Sequence, residues 1–476
     1  MTWFWLALAF AIPTAAGWLL VRVAEGKYPV LLNLERIAMG AVVGPTLGSY
    51  LLFLGNVAGM IGITRTVVIA VMGGMLIVSG IAWFLRGGME WKNEGFAPAA
   101  HSTPVWQTGI LAILGVWTIV KFAMAAVVLV GTPAYLDDTI DNWNLRAKVF
   151  VAEQHFTLAL PIENGGTSSS GVSSYPPTVP LVKAWAVLLR GSAWEEDTAN
   201  GVHLLWTLAC IGLVWGWLRR TASRGWALIG VYVLTSLPLF LIQGFNAYGD
   251  VFLASHIIAV VSMLTAWMCA HEHRHRMTAM RLAVLTLALL PFTKNEALLL
   301  YLPPMLLIVA IGLWHRMREA PTKEMMHSIV WFTVPLLAVL LPWLIFKWMH
   351  DLPFGNAKAV SGFAIEFEPM VPFAIAVNTF IEGNWLLFFP ILLVLLALRW
   401  YWMDAKLRMS AATFFLLAYV GQIGIYTFTS LSNEALRQTG YARGLIHIVP
   451  VAVVLAILLA RDWLSQENTI RHAKEA

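Results

Sequence analysis

A group of five ionisable residues lies between residues 137 and 148. The segment reads Asp-Asp-Thr-Ile-Asp-Asn-Trp-Asn-Leu-Arg-Ala-Lys, in a sequence that is 59% hydrophobic and only 12% charged. Adjacent carboxylates repel each other, so one of Asp137 and Asp138 should hold a proton more readily than a solvated aspartate. Such a group can act as a general base toward a hydroxyl. The same pair could also cap a following helix, and the two roles are compatible.

Two cationic features in later parts of the chain could bind an anion. Lys294-Asn295-Glu296 interrupts a long apolar stretch, and ionisable residues inside apolar sequence are costly and often mark a site. Lys294 could bind a phosphate while Glu296 orients it, although a self-neutralising pair that closes a turn is the simpler alternative. Arg443 begins the last apolar run, and its planar fork suits phosphate, although it could instead extend toward lipid headgroups.

Apolar runs of about 20 residues recur along the whole chain, and the mean hydropathy is +0.73. Each such run is long enough to cross a hydrocarbon core of about 30 Å as a helix. The runs lack the alternation of barrel strands, so we predict an all-α polytopic membrane protein. We predict thirteen spans, at 3–21, 37–61, 66–85, 107–131, 199–218, 225–243, 248–270, 281–292, 296–314, 328–349, 371–398, 409–430 and 441–460.

The predicted spans divide the chain into four regions. They are four N-terminal spans (1–131), an outer loop (132–198), nine further spans (199–460) and a C-terminal tail (461–476). Of the 31 Lys and Arg residues, 20 fall on the side that holds the C-terminus. Positive charge favours the cytoplasmic side, so the N-terminus and the acidic segment are expected outside. The apolar runs make the lipid bilayer an expected partner. The distribution of Lys and Arg across the membrane explains the excess of positive charge, so no nucleic-acid partner is expected.

The outer loop should contain two helices joined by a polar link. Residues 138–156 are amphipathic, with Ile140, Trp143, Ala147 and Phe150 on one face and Asp137, Asp141, Asn144 and Lys148 on the other. Such a helix is expected to lie flat in the membrane interface. The Asn-, Gly- and Ser-rich stretch 164–174 reads as a flexible link. The helix after Tyr175-Pro-Pro is too short to span, so we expect it along the surface.

Other features carry less weight. Asp250, at the outer end of span 7, is interpreted as a helix-start residue rather than a ligand. Glu382-Gly-Asn could break the long run at 371–398. Both cysteines lie in apolar runs, so no disulfide is implied. The sequence contains no phosphate-binding loop, dinucleotide fingerprint or zinc-ligand spacing, so no soluble cofactor is expected.

The order of these motifs resembles the GT-C superfamily of membrane glycosyltransferases, which use sugars carried on polyprenyl phosphate. The resemblance rests on the acidic pair Asp137-Asp138, the helix that follows it, the Lys294 turn and the run from Arg443 to Pro450. Tyr175-Pro-Pro also resembles a motif of many members. The resemblance implies catalytic Asp137 and Asp138, and it implies substrate binding by a larger set of residues. That set is Asp141, Trp143, Arg146, Lys148, Tyr175, Lys294, Glu296 and Arg443.

The function implied is an inverting transfer of a sugar from a polyprenyl-phosphate carrier to a hydroxyl of a lipid, glycan or protein, at the outer face of a bacterial cytoplasmic membrane. No cofactor is required, and a divalent cation at Asp137 and Asp138 is compatible with the resemblance. The alternative function is a transporter or flippase for a lipid-linked or amphipathic substrate. Its pathway would be lined by Lys121, Lys294, Glu296 and Asp250. A non-catalytic subunit of an envelope-assembly complex is a third alternative.

Overall fold

Helices form nearly all of the regular structure of the computed structural model, which describes residues 1–88, 105–161, 167–168, 171–191, 193–317, 322–353, 365 and 367–475. The α-helices are α1 (Thr2–Glu25), α2 (Asn33–Val57), α3 (Arg65–Leu85), α4 (Val105–Gly131), α5 (Leu145–Glu153), α6 (Thr178–Arg190), α7 (Glu196–Gly201), α8 (His203–Thr221), α9 (Arg224–Leu234), α10 (Pro238–Gly244), α11 (Asp250–Cys269), α12 (His273–Leu289), α13 (Leu302–Met317), α14 (Thr322–Met349), α15 (Val371–Phe380), α16 (Phe388–Arg399), α17 (Ala405–Leu407), α18 (Thr413–Phe428), α19 (Ser432–Leu436), α20 (Gly440–Ile446) and α21 (Val449–Glu475).

Short irregular helices and one strand pair complete the fold. The π-helical segments are Thr139–Asn144, Ala297–Tyr301 and Arg408–Ala412, and the 3-10 segments are Gly171–Ser174 and Leu290–Phe292. Leu160–Pro161 (β1) pairs antiparallel with Thr167–Ser168 (β2), so that Leu160 lies opposite Ser168.

Nine helices in the described part of the chain are long and apolar enough to cross a membrane, or eleven if each of two bent pairs counts as one span. The all-α polytopic class is therefore confirmed, whereas the count of thirteen spans stays a prediction. The bent pairs are α9 with α10, at 81°, and α20 with α21, at 56°. Pro238 begins α10 and Pro450 lies in the first turn of α21, and a proline cannot donate the hydrogen bond that would continue the preceding helix.

Two predicted features of the later spans have specific outcomes. The run at 371–398 is interrupted between α15 and α16, at the predicted break, where Gly383 adopts a φ of +83°. A glycine tolerates this left-handed conformation because it has no Cβ. The predicted short span 281–292 consists of the second half of α12 and the 3-10 segment Leu290–Phe292. Helix α12 itself begins earlier, at the polar residue His273.

The helices form a buried centre and an apolar exterior. In the most apolar part of α11, 94% of the residues are buried, against 17% in α4. Helices α2 and α8 pack against each other, and α8 packs against α11. The exposed apolar side chains of α3, α4 and α14 therefore suit contact with lipid rather than with water.

The outer loop differs from its prediction in two respects. Asn144, expected on the polar face, is buried, and Ile140, expected on the apolar face, is 48% exposed. The reason is that Thr139–Asn144 is π-helical, which shifts the faces from their α-helical positions. Helix α6 is not a surface helix, because its residues from Thr178 to Leu189 are all buried. Most of the predicted link 164–174 lies outside the described residues.

Several chain segments meet at one end of the helix bundle, which we call the site end. The hydroxyl of Thr2 donates to Asp197, and Glu196 accepts from the backbone of Ala134, so the start of α1 lies beside the outer loop. The hydroxyl of Thr178 donates to the carbonyl of Phe292, which brings the end of α12 to the same place. The opposite end, where α1 and α3 end and α12 begins, is called the far end.

Candidate functional site

Asp250 is the centre of an ion-pair network at the site end. Its side chain is only 2% exposed, and Oδ1 accepts from Lys294 Nζ at 2.7 Å. Oδ2 accepts from Arg443 Nε at 3.2 Å, and His447 Nε2 lies 3.0 Å from Oδ1. A buried carboxylate is tolerated only when it is paired and hydrogen-bonded. Asp250 therefore fixes the positions of two cations that are far apart in sequence.

The acidic pair of the outer loop reaches this network. Asp138 Oδ2 lies 2.7 Å from Arg443 Nη2, and Asp137 Oδ1 accepts from the hydroxyl of Tyr248 at 2.7 Å. The guanidinium of Arg443 also stacks over the ring of Tyr248, at 4.4 Å from its centre. Arg443 thus joins the outer loop to α11, and the two neighbouring aspartates are held by different partners.

The Lys294 turn follows α12, where the 3-10 segment ends. Lys294 Nζ also lies 3.2 Å from Glu296 Oε1. Burial alone would lower the pKa of Lys294, but the carboxylates of Asp250 and Glu296 outweigh it and hold the pKa above its usual value. Lys294 therefore stays charged, although its side chain is only 4% exposed.

A second buried lysine, Lys347, holds the Lys294 turn in place through Asn295. Lys347 Nζ donates to Asn295 Oδ1 at 3.0 Å and to the carbonyl of Ser174 at 2.7 Å. Asn295 Nδ2 in turn donates to Ser174 Oγ at 3.2 Å. These bonds tie the residue after Lys294 to the residue before Tyr175, so the turn and the outer loop are positioned together.

A chain of hydrogen bonds supports Asp250 on its other side. His447 Nδ1 lies 2.8 Å from the hydroxyl of Tyr301, which accepts from Gln422 Nε2 at 2.8 Å. Gln422 also donates to the carbonyl of Gly444 at 2.9 Å. Three helical segments are thereby linked beneath the carboxylate, and fixed hydrogen-bond partners reduce the reorganisation that a reaction in the site requires.

Three predicted substrate-binding residues are buried behind the network. Trp143 and Arg146 are 2% and 1% exposed, and the ring of Tyr175 packs edge-on against Trp143 at 5.7 Å. Arg146 Nη2 donates to the carbonyl of Tyr175 at 2.9 Å, and the Trp143 ring lies 6.0 Å from Lys294 Nζ. A Cβ on Gly249 would lie 3.1 Å from Trp143, so the glycine packs tightly against the indole ring. These residues hold the loop against α11.

The remaining two predicted substrate-binding residues, Asp141 and Lys148, are exposed on the outer side of the same loop helix. Lys183, on α6, is instead fully buried and bonds to Asn144 Oδ1 at 2.6 Å. Burial lowers the pKa of Lys183 well below its usual value. Burial and the hydrogen bond to Asp137 raise the pKa of Tyr248, so this hydroxyl remains a donor at neutral pH.

Sequence reasoning missed the central residue of the site. Asp250 was assigned to the helix start, a position that it does occupy as the first residue of α11. The available signal was a carboxylate at the start of an otherwise apolar span, which is as unusual as Lys294. His447 lies one helical turn after Arg443 in the same stretch of sequence, and no sequence pattern singles it out.

No group of three or more His, Cys, Asp and Glu side chains among the described residues is arranged to hold a metal ion. At the acidic pair, Asp138 contacts a guanidinium and Asp137 a hydroxyl. The divalent cation at these residues therefore stays a prediction.

The fold defines a polytopic helical membrane protein with a buried ion-pair network at one end of its helix bundle. No protein-family model matches the chain, and no curated protein matches it either. Two crystal structures of ArnT from Cupriavidus metallidurans match the fold of the chain. The structure bound to undecaprenyl phosphate has a TM-score of 0.52 and 14% identity, covering 76% of this chain and 63% of that one. The apo structure has a TM-score of 0.50 and 14% identity, covering 75% and 62%.

The similarity confirms the predicted resemblance to GT-C proteins at the level of the fold. The match covers less than two thirds of the ArnT chains, and an identity of 14% carries no residue roles from one protein to the other.

Proposed function

We propose that this protein is an integral membrane glycosyltransferase that moves a sugar from a polyprenyl-phosphate carrier to an acceptor hydroxyl. The shared fold with a protein crystallised with undecaprenyl phosphate supports this proposal. The observation that carries it is the network in which Asp250 holds Lys294 and Arg443 together next to the Asp137–Asp138 pair. A base and two cations within one cluster are the groups that such a transfer requires.

The donor phosphate is proposed to bind Lys294 and Arg443. Arginine offers two parallel N–H groups to a phosphate, and lysine adds a compact charge. In the structure one guanidinium nitrogen of Arg443 contacts Asp138. The donor phosphate would replace Asp138 on this nitrogen, while Asp250 continues to hold Nε. Binding of the donor would then release a carboxylate directly beside the reacting groups.

The released Asp138, or its neighbour Asp137, is proposed as the general base. It removes the proton from the acceptor hydroxyl, whose oxygen attacks the anomeric carbon of the sugar. The bond between that carbon and the phosphate oxygen breaks, and the polyprenyl phosphate leaves as an anion. One displacement inverts the anomeric configuration. Because the leaving group is already a stable anion, the site must mainly supply positive charge, and each fixed charge contributes roughly 10²–10³-fold in rate.

The location and partners follow from the same proposal. The site end would face the outside of a bacterial cytoplasmic membrane, with the N-terminus outside and the C-terminus in the cytoplasm, as the distribution of Lys and Arg favours. The acceptor would be a lipid, glycan or protein that carries a free hydroxyl. The protein would require no cofactor.

The proposal is tested by reconstituting the full chain into liposomes with membrane extract and a set of radiolabelled polyprenyl-phosphate sugars. Wild type is compared with Asp137→Asn, Asp138→Asn and Lys294→Ala. Glu153→Gln, which alters an exposed carboxylate at the end of α5, is the matched control. We expect transfer by wild type and the control, and a loss of at least 100-fold for Lys294→Ala and for the aspartate that acts as base.

The liposome assay also addresses the alternative of a transporter. Movement of the labelled lipid across the bilayer without any covalent change, sensitive to the same substitutions, would replace the transferase proposal. The ammonium of Lys121, which a pathway would have to include, bonds to Thr235 and Ser236 at the α9–α10 bend. Transfer by all variants at the wild-type rate would contradict both functions for this site.

A further inference from the structure

A second cluster of cations lies at the far end of the bundle. The C-terminus of α1 and the end of α3 enclose a cavity of about 170 Å³, which we call the far-end cavity. It is lined by three glycines and by Arg22, Lys27, Tyr28, Trp83 and Arg86. Helix α11 starts at Asp250, spans 20 residues and ends at Cys269 beside this end, so about 30 Å separate the cavity from the candidate active site.

Further arginines approach the cavity from α12. Arg274 Nη1 donates to the hydroxyl of Tyr28, and its guanidinium stacks on that ring at 4.9 Å. Arg281 Nη2 donates to the carbonyl of Glu25 at 3.2 Å, and it would lie 3.9 Å from a Cβ on Gly26. Protein carbonyls and rings thus hold these guanidinium groups in place, which preorganises them for an anion.

Among the residues that the structure describes, the acids near the cavity leave an excess of positive charge. Glu25 is fully buried behind it and is paired with Arg36 at 2.5 Å and Arg22 at 3.3 Å. Glu272 lies 2.9 Å from His275. Lys27 and Arg86 are exposed, and Arg86 Nη1 is fixed by the carbonyl of Val23 at 2.6 Å. Arginines that are fixed but open on one side suit the oxygens of a phosphate group.

The surroundings of the cavity indicate the level of the lipid headgroups. On α3, the last residues before Arg86 include Val78, Phe84 and Leu85, which are 66%, 62% and 77% exposed. Such an apolar surface faces hydrocarbon, and Trp83 at its end is typical of the membrane interface. The cavity is smaller than the roughly 300–1,000 Å³ of pockets for drug-sized ligands. The cavity therefore has room for a headgroup and not for the whole lipid, whose acyl chains would lie along α3.

We propose that the far-end cavity is a binding site for the phosphate of an anionic lipid headgroup, or for the same group in a free phosphate compound. Basic cavities between spanning helices recognise phosphate headgroups through this chemistry. The site uses other residues than the transferase proposal and does not depend on it. Helix α12 joins the two places, since it begins at the cavity and leads to Lys294.

The test measures binding to the full chain in neutral detergent. Labelled phosphatidylglycerol and inorganic phosphate are titrated separately, with labelled phosphatidylcholine as the neutral lipid. The test variant is Lys27→Gln/Arg86→Gln, which changes two exposed lining residues and leaves the buried ion pairs intact. The matched control is Arg65→Gln/Arg224→Gln, which removes two exposed arginines outside the cavity.

Each cation near a membrane surface changes the binding of an anionic lipid about fivefold. We therefore expect phosphatidylglycerol to bind roughly 25-fold more weakly to the test variant than to wild type or the control. The same loss for inorganic phosphate, without one for phosphatidylglycerol, would assign the site to a free phosphate compound. Equal binding of both ligands to wild type, test and control variants, or a preference for phosphatidylcholine, would overturn the proposal. No readout involves sugar transfer, so it can fail independently of the transferase proposal.

Discussion

Replacing Asp250 by asparagine removes one charge and keeps the shape of the side chain. The substitution leaves Lys294 and Arg443 close together without the carboxylate that they share. The two cations then repel each other in a buried environment, where charges are screened less than in water. We expect both the stability of the protein and the geometry of the site to suffer.

The magnitude follows from the contacts that are lost. Asp250 accepts from Lys294 at 2.7 Å and from Arg443 at 3.2 Å, and His447 lies 3.0 Å away. Removing one partner of a buried ion pair costs roughly 3–5 kcal/mol. Asparagine can still accept one hydrogen bond, and Glu296 and Asp138 remain beside the cations. We therefore expect a loss of about 3 kcal/mol in the free energy of unfolding, at the lower end of that range.

The effect on transfer should be larger than the effect on stability alone implies. Misplacing a fixed charge that stabilises the transition state costs roughly 10²–10³-fold in rate. Glu35→Gln is the matched control, because Glu35 is also fully buried and paired with an arginine, Arg220 at 2.8 Å, but at the far end. Unfolding is followed by denaturant titration in detergent, and transfer is measured per folded molecule in liposomes.

Both substitutions should destabilise the protein, and only Asp250→Asn should reduce transfer per folded molecule. If Asp250→Asn transfers sugar at the wild-type rate once folded protein is counted, Asp250 does not position the reacting groups. If Glu35→Gln reduces transfer as strongly, the effect comes from general destabilisation, and the reasoning about the network is refuted.

Three further predictions concern the same network. Tyr248→Phe removes the hydrogen bond to Asp137 but keeps the ring under Arg443, so we expect a loss of about fivefold in transfer from roughly 1 kcal/mol, measured as initial rates. Because the pKa of Lys294 is raised, its contribution to stability is present below about pH 10.5 and is lost as the pH rises through the folded-state pKa. The difference in melting temperature between wild type and Lys294→Gln should thus be constant from pH 6 to 9 and shrink above pH 10.5. Because Asp138 is paired with Arg443, treatment with EDTA should change the transfer rate less than about twofold.

Each of these predictions has an outcome that contradicts it. A wild-type rate for the Tyr248 variant would mean that Asp137 needs no orientation. A stability difference that disappears already between pH 7 and 9 would mean that Lys294 is not held charged by its carboxylates. A loss of more than tenfold in EDTA, restored by Mg²⁺ or Mn²⁺, would show that transfer requires a divalent cation.

Patterns along the chain were sufficient to predict the fold class. A run of about 20 apolar residues must form a helix in lipid, because its backbone groups have no other partners there. This rule uses only local sequence, and that explains both what it predicts correctly and what it predicts wrongly. It predicted a surface position for α6 from its length, but protein covers this helix on all sides. It also assumed α-helical faces for residues 139–144, which are π-helical.

Sequence alone singled out ionisable residues, and the tertiary structure decided which of them meet. The sequence marks Asp138, Lys294 and Arg443 as candidate site residues because ionisable side chains are costly in a largely apolar chain. This cost does not depend on which other residues they contact. Asp250 had an adequate local explanation at the start of α11, and only its contacts with residues 44 and 193 positions away show that it joins both cations. Pairing across such separations depends on how helices pack, and helix packing depends on the shapes of side chains throughout the bundle rather than on any short stretch of sequence.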